Sequence, residues 1–154
     1  SLRLGYLVLP TDLVDSFRRA LAELYREGQT VQQNTLARFI LQGHYARHIR
    51  RMRNVYATRR GLLMEAIAAR FGGRLQALGG DAGLHLVLGL PAPCDDQALA
   101  RRVLQAVVMT RPLSLYSVRR PVPARGLVLG YGAVDDALIA PNFDAVADAI
   151  EDLL

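Results

Sequence analysis

The sequence predicts a mixed α/β (α+β) fold, with a small, mostly antiparallel sheet covered by helices on one face and one long helix. Three observations carry this expectation. Apolar runs of strand length are punctuated by glycine and proline. Segments with apolar residues at helical spacing lie between them, in the order strand, helix, long helix, two strands, helix, two strands, helix. The helical pattern also runs from Val31 to Phe71 with Gly43 as its only plausible joint.

Leu4 to Leu9 is a nearly continuous apolar run closed by Pro10 and reads as a buried strand. Thr11 and Asp12 then offer an N-cap, and Val14, Phe17, Leu21, Leu24 and Tyr25 keep helical spacing until Gly28. Thr30 is a candidate cap for the next helix. The part from His44 to Phe71 spans about 40 Å at the helical rise, with a core stripe of Tyr45, Ile49, Met52, Tyr56, Leu63 and Ile67. Gly72 and Gly73 end it. Arg74 to Leu78 and Leu84 to Leu90 read as strands joined by the glycine-rich turn from Gly79 to Gly83. After Pro91-Ala92-Pro93, a helix capped near Cys94 to Asp96 buries Leu99, Val103 and Val107. Leu113 to Val118 and Gly126 to Tyr131 are the last two strands, separated by the proline- and arginine-rich Arg119 to Arg125. A final helix after Pro141-Asn142 buries Phe143, Val146, Ile150 and Leu154 and turns Asp144, Asp148 and Asp152 to water.

At 154 residues the chain is long enough for one compact domain with a real core. Its 19 basic residues against 14 acidic ones give a net charge of +5, and all 19 are arginine. Total replacement of lysine beside abundant alanine, glycine and leucine reads as the codon bias of a GC-rich genome, so the basic balance is weak evidence for nucleic-acid binding. Cys94 is the only cysteine, which excludes an intrachain disulfide and a cysteine-based metal cluster. No apolar stretch is long enough to span a membrane, and residues 1–15 lack the order of a signal peptide; a cytoplasmic location and no membrane partner follow as expectations. His44 and His48 stand four apart, but no acidic residue or cysteine joins them at ligand spacing, so no metal site is assigned. His85, between Leu84 and Leu86, reads as a hydrogen-bonded structural residue. Nucleophile-elbow, Walker and dinucleotide glycine motifs are absent.

Two segments carry a family resemblance. Leu2-Arg3-Leu4-Gly5-Tyr6-Leu7-Val8 resembles the stretch that follows the Schiff-base lysine in fold-type I pyridoxal-phosphate proteins, the aminotransferase superfamily. His48-Ile49-Arg50-Arg51-Met52-Arg53-Asn54-Val55-Tyr56-Ala57-Thr58-Arg59-Arg60-Gly61-Leu62-Leu63 resembles the signature helix of the MocR branch of GntR-type transcriptional regulators. The resemblance continues through Gly83 to Leu86 and Leu127 to Tyr131. It implies the C-terminal small subdomain of a fold-type I aminotransferase-like domain, with residues 1–30 as a lead-in strand and helix belonging to the large cofactor-binding subdomain and residues 31–154 as the small subdomain. In such regulators an N-terminal winged helix-turn-helix binds DNA, and the aminotransferase-like domain binds pyridoxal 5'-phosphate and senses an amino-compound effector. The implied partners are the large subdomain, a second copy in a homodimer, and DNA through the N-terminal domain.

The resemblance assigns the cofactor phosphate to Arg3, with the lysine a short distance upstream. A planar guanidinium suits that role because it can bind a phosphate through two charge-assisted hydrogen bonds. Arg125, with Arg119 and Arg120 behind it, is the candidate for an effector or substrate carboxylate, although the enzymes place an arginine inside the last strand, near Leu127 or Val128 here. No catalytic residue is assigned. The chain alone is expected to bind no cofactor and to lack catalytic competence. A C-terminal piece of a true aminotransferase and a stand-alone interaction domain are the alternatives.

Arg47, Arg50, Arg51, Arg53 and Arg60 fall off the apolar stripe and read as a solvated cationic face. Direct DNA reading by this helix is disfavoured, because its stripe must be buried and no partner helix at helix-turn-helix spacing precedes it. Arg59 is different. Three residues after Tyr56 and four before Leu63, it lies on the inner stripe and requires a carboxylate or carbonyl partner.

Overall fold

The computed structural model describes residues 4–25, 29–79, 83–106, 108–118 and 124–153. The chain forms two compact units, residues 1–51 and 52–154, and the division falls inside the long helix.

In the first unit the expected strand from Leu4 to Leu9 does not form. A strand is held by its ladder, and the only sheet among the described residues is built from later segments. Tyr6, Leu7 and Val8 are exposed, and Leu4, Gly5 and Tyr6 border a shallow cleft with Gln33, Leu36, Ala37 and Ile40. Thr11 and Asp12 enter a 3-10 turn, Thr11–Leu13, and supply no side-chain cap; the Leu13 amide donates to the Pro10 carbonyl at 3.0 Å. Helix α1 (Val14–Leu24) ends before Gly28, which lies outside the described residues. Helix α2 (Thr30–Leu41) takes Thr30 as its first residue and not as its cap. No residue of α1 or α2 is buried.

Gly43, at φ +75°, is the joint the sequence indicated, and the Phe39 and His44 rings stack across it with centroids 5.6 Å apart. Helix α3 (His44–Phe71) has the expected bounds. Tyr45 is exposed, Ile49, Met52 and Tyr56 are half-buried, and Leu63, Ile67 and Phe71 are buried. Gly72 and Gly73, at φ +54° and +94°, stop it in the left-handed conformation that side chains resist.

The second unit holds a four-stranded antiparallel sheet in the order β1-β2-β4-β3. Its strands are β1 (Ala77–Leu78), β2 (His85–Gly89), β3 (Arg111–Pro112) and β4 (Gly126–Gly130). In the central pair, Leu86 lies opposite Leu129 and Leu88 opposite Leu127. These four leucines are buried, whereas Val87 and Val128, one residue on, are half-buried and His85 is exposed. The period-2 pattern thus buries one face. Helices α3, α4 (Asp96–Gln105) and α5 (Asp136–Ile150) complete the core on that face through Leu63, Ile67, Leu99, Val103, Phe143 and Val146. Each such side chain contributes about 1.5–3 kcal/mol on burial. Phe71 and Phe143 meet edge to face at 6.1 Å.

Three expectations need correction in this unit. The strand from Arg74 shrinks to Ala77–Leu78. Leu113 to Val118 is no strand: Leu113–Tyr116 is a 3-10 turn, because the Ser114 amide is drawn to the Asp96 carboxylate and the Ser117 amide turns back to the Ser114 carbonyl. Helix α5 begins at Asp136 and carries Pro141 inside it, forgoing one backbone bond. Val107 and Leu154, expected in the core, lie outside the described residues.

Candidate functional site

Arg59 is the sequence-predicted residue the structure places most fully. Its side chain is 16% exposed, its Nε donates to Asp136 Oδ1 at 2.8 Å, and one Nη donates to the Gly132 carbonyl at 2.8 Å. Both partner types are present at once, and the guanidinium fork ties α3 to the turn between β4 and α5. Arg47, Arg50, Arg51 and Arg53 are exposed as expected, whereas Arg60, placed on the same solvated face by the sequence, is half-buried.

Arg125 precedes β4 and does not stand alone. One Nη lies 3.5 Å from Asp96 Oδ1 and 3.9 Å from Asp95 Oδ1, with the side chain 40% exposed. Asp95 is the N-cap of α4 and accepts from the amides of Gln97 and Ala98. Asp96 is fully buried. Its Oδ2 accepts from the Ser114 amide at 2.9 Å and the Gly126 amide at 3.3 Å. Burial works to raise its pKa, but the Ser114 hydroxyl and amide, the Gly126 amide and the Arg125 charge outweigh it and hold the carboxyl below its ordinary range. From the sequence alone Asp96 is only part of a helix cap. Nothing local marks it as the group that pins α4, the 3-10 turn and the start of β4 together.

The register of β4 bears directly on chemistry. Leu127, fully buried, pairs with Leu88, and Val128, on the other face, pairs with Val87 and Arg111. The two strand positions that the resemblance singled out for an arginine are therefore apolar, one inside the core and one on the more open face. His85 is exposed across from Gly130. Arg3, Arg119 and Arg120 lie outside the described residues.

On α5, Asp144 and Asp148 are exposed as expected, yet Arg70 draws both into ion pairs at 3.8 and 2.5 Å and adds Glu151 at 2.9 Å. Arg74 also reaches Glu151, and Arg102 holds Asp152 beyond the helix end. Hydrogen bonds from Arg74 and then Arg70 lower the Glu151 pKa. Among the described residues no cluster of three or more histidine, cysteine or acidic groups could hold a metal ion.

Helices α3, α4 and α5 over one face of an antiparallel sheet, with the first unit ahead of them in the chain, define an aminotransferase-like fold of type I. The α-aminoadipate aminotransferase LysN of Thermus thermophilus, solved with N-(5'-phosphopyridoxyl)-L-leucine, superposes with a TM-score of 0.86 at 18% identity, over 99% of this chain and 39% of that one. In sequence, the probable rhizopine catabolism regulatory protein MocR of Rhizobium meliloti is 31% identical over 149 residues, 97% of this chain and 30% of that protein. The HTH-type transcriptional regulator YdeL of Bacillus subtilis (strain 168) is 31% identical over 140 residues, 89% of this chain and 29% of its own length. In sequence and fold the chain matches the C-terminal aminotransferase-like domain of MocR-type regulators. It spans about 30% of the length of these relatives. No protein-family model matches it. No helix among the described residues is long and apolar enough to cross a membrane.

Proposed function

We propose that this chain is the small-subdomain part of a pyridoxal-phosphate-binding, effector-sensing domain in a GntR/MocR-type transcriptional regulator. The observation that carries the reading is the apolar register of β4. Leu127 and Val128 stand where the resemblance leads one to expect an enzyme's carboxylate-binding arginine; Leu127 is fully buried in the core and Val128 is half-buried on the other face. Kinship to regulators supports the same conclusion. Fold alone does not separate a sensor from an enzyme.

Pyridoxal phosphate demands an amine for its imine, an acidic partner for the ring nitrogen and a cradle for its phosphate. This chain has no lysine. None of the described residues lining the cleft beside Leu4, Gly5 and Tyr6 is charged. The described residues thus do not make a cofactor site by themselves, and we assign only the phosphate contact, through Arg3. The chain alone is catalytically incompetent on this reading, and the remaining groups come from the large subdomain of the same protein. An effector carboxylate at Arg125 would have to share the guanidinium with Asp95 and Asp96, whose charges already lie within 4 Å. In the whole protein, cofactor and amino compound bind between the subdomains, a homodimer forms, and movement of the small subdomain is relayed to the DNA-binding domain.

Two measurements on the longer protein test this reading. Its sequence should contain a winged-helix domain and a lysine shortly before Arg3, and Arg3→Ala should weaken retention of pyridoxal phosphate. A longer protein without a winged helix, with an arginine-dependent transamination activity, would favour the aminotransferase reading.

A further inference from the structure

The face of the sheet turned away from the core carries one continuous cross-strand row. Leu78 lies opposite Val87, Val87 opposite Val128, and Val128 opposite Arg111, so the row crosses β1, β2, β4 and β3 in turn. Residues paired in this way project to the same face. The burial pattern agrees, because the adjoining pair of Leu127 and Pro112 is buried, whereas Val87 and Val128 are half-buried and Leu78 and Arg111 are exposed. Along the strands, His85 pairs with Gly130 and both are exposed, which leaves the row open on that side.

The charge on this face has one sign. None of the four strands contains an acidic residue, and Arg111 and His85 are their only basic ones. Among the described residues Arg111 has no ion-pair partner, whereas the Arg125 guanidinium is already held by Asp96 and Asp95. A free guanidinium at the end of an apolar row matches an anion joined to a short apolar group, since a carboxylate can take two charge-assisted hydrogen bonds from it. Neighbouring strands lie about 4.8 Å apart. Val128 and Val87 therefore stand about 5 and 10 Å along the row from Arg111, the reach of a branched or aromatic group attached close to a carboxylate. We propose that this open face binds a small carboxylate with such a group, its anion on Arg111 and its apolar part on Val128 and Val87. The part this plays in sensing rests on the effector-sensing function proposed for the whole protein. The effector is then an amino acid with an apolar side chain, and the cation missing from β4 is supplied by the edge strand β3.

The 154-residue chain with labelled Val and Leu methyl groups would be titrated with 3-phenylpropanoate, 3-phenylpropanol and 3-phenylpropylamine and followed by NMR. The carboxylate should give saturable shifts at Val87 and Val128 and bind about three- to fivefold more tightly than the alcohol, with the amine weakest. Arg111→Gln should abolish that preference and Arg125→Gln should keep it. Equal binding of carboxylate and alcohol, a preference that survives Arg111→Gln, or one that vanishes only in Arg125→Gln would overturn the proposal. So would shifts at Val87 and Val128 that follow protein concentration without any probe, since a second copy would then occupy the face. If Arg111→Gln does not fold, the order of the three probes on the unaltered chain decides by itself. The titration involves neither cofactor nor DNA, so its failure leaves the regulator function standing. Conversely, a longer protein whose DNA affinity no amino compound alters would defeat that function and leave a measured carboxylate preference intact.

Discussion

Asp96→Ala should be among the most damaging single substitutions in the second unit. The carboxylate is fully buried, and its Oδ2 satisfies two backbone donors, Ser114 N–H and Gly126 N–H. Alanine would leave both amides buried without an acceptor, at about 1–3 kcal/mol each. Arg125 would lose its nearest charge, but it is 40% exposed and can be solvated, so little is added there. A loss of about 4 kcal/mol, at a urea m-value of about 2 kcal/mol/M, lowers the unfolding midpoint by about 2 M. Asp96→Asn retains an acceptor and should cost about half as much. Asp95→Ala removes only an exposed cap and should cost about 1 kcal/mol. The pH dependence has a defined sign. Because the folded pKa lies below the ordinary carboxylate value, the stabilisation is complete above about pH 4 and is lost as pH falls through the lowered folded value. The difference in stability between the unaltered chain and Asp96→Asn, measured by urea titration from pH 7 downward, should therefore shrink below about pH 4. A cost for Asp96→Ala no larger than that for Asp95→Ala, or a difference that grows on acidification, would refute the reasoning.

Other outcomes follow from equally local geometry. Arg59→Met should destabilise by about 2–3 kcal/mol, and Arg59→Lys should rescue little because one ammonium cannot reproduce the fork to Asp136 and Gly132; full rescue in urea denaturation would contradict this. Gly126→Ala should cost about 1–3 kcal/mol, because its Cβ would stand 2.8 Å from the Leu88 carbonyl oxygen and from Val87 Cγ1, whereas Gly130→Ala meets only the edge of His85 at 3.3 Å and should be milder in the same assay. The exposed Tyr6, Leu7 and Val8 should drive concentration-dependent self-association, and sedimentation as a monomer at all concentrations would contradict that.

The elements most legible in the sequence were those fixed by local rules. Helix α3 was bounded by Gly43 and Gly72, both of which adopt positive φ, and Arg59 could be read because its position on an apolar stripe demanded a partner wherever the chain might supply one. The failures share a cause as well. Leu4 to Leu9 has the composition of a strand but not the neighbour that makes one, and Leu113 to Tyr116 is drawn out of extended form by a carboxylate 18 residues away. Asp96 was invisible as a hub because its partners, Ser114, Gly126 and Arg125, come from segments that only the fold assembles. The acidic side of α5 looked purely solvated for the same reason, since Arg70 and Arg74 reach it from the end of α3 and the loop that follows.

The claim that this chain serves a sensor and not an enzyme is tested most directly in the full-length protein loaded with pyridoxal phosphate. DNA binding and amino-acid to keto-acid turnover would be measured on the same preparation across a panel of amino compounds. The account predicts that at least one amino compound shifts the DNA affinity while turnover stays below a few cycles per site. Sustained turnover with DNA affinity unchanged by every compound would contradict it.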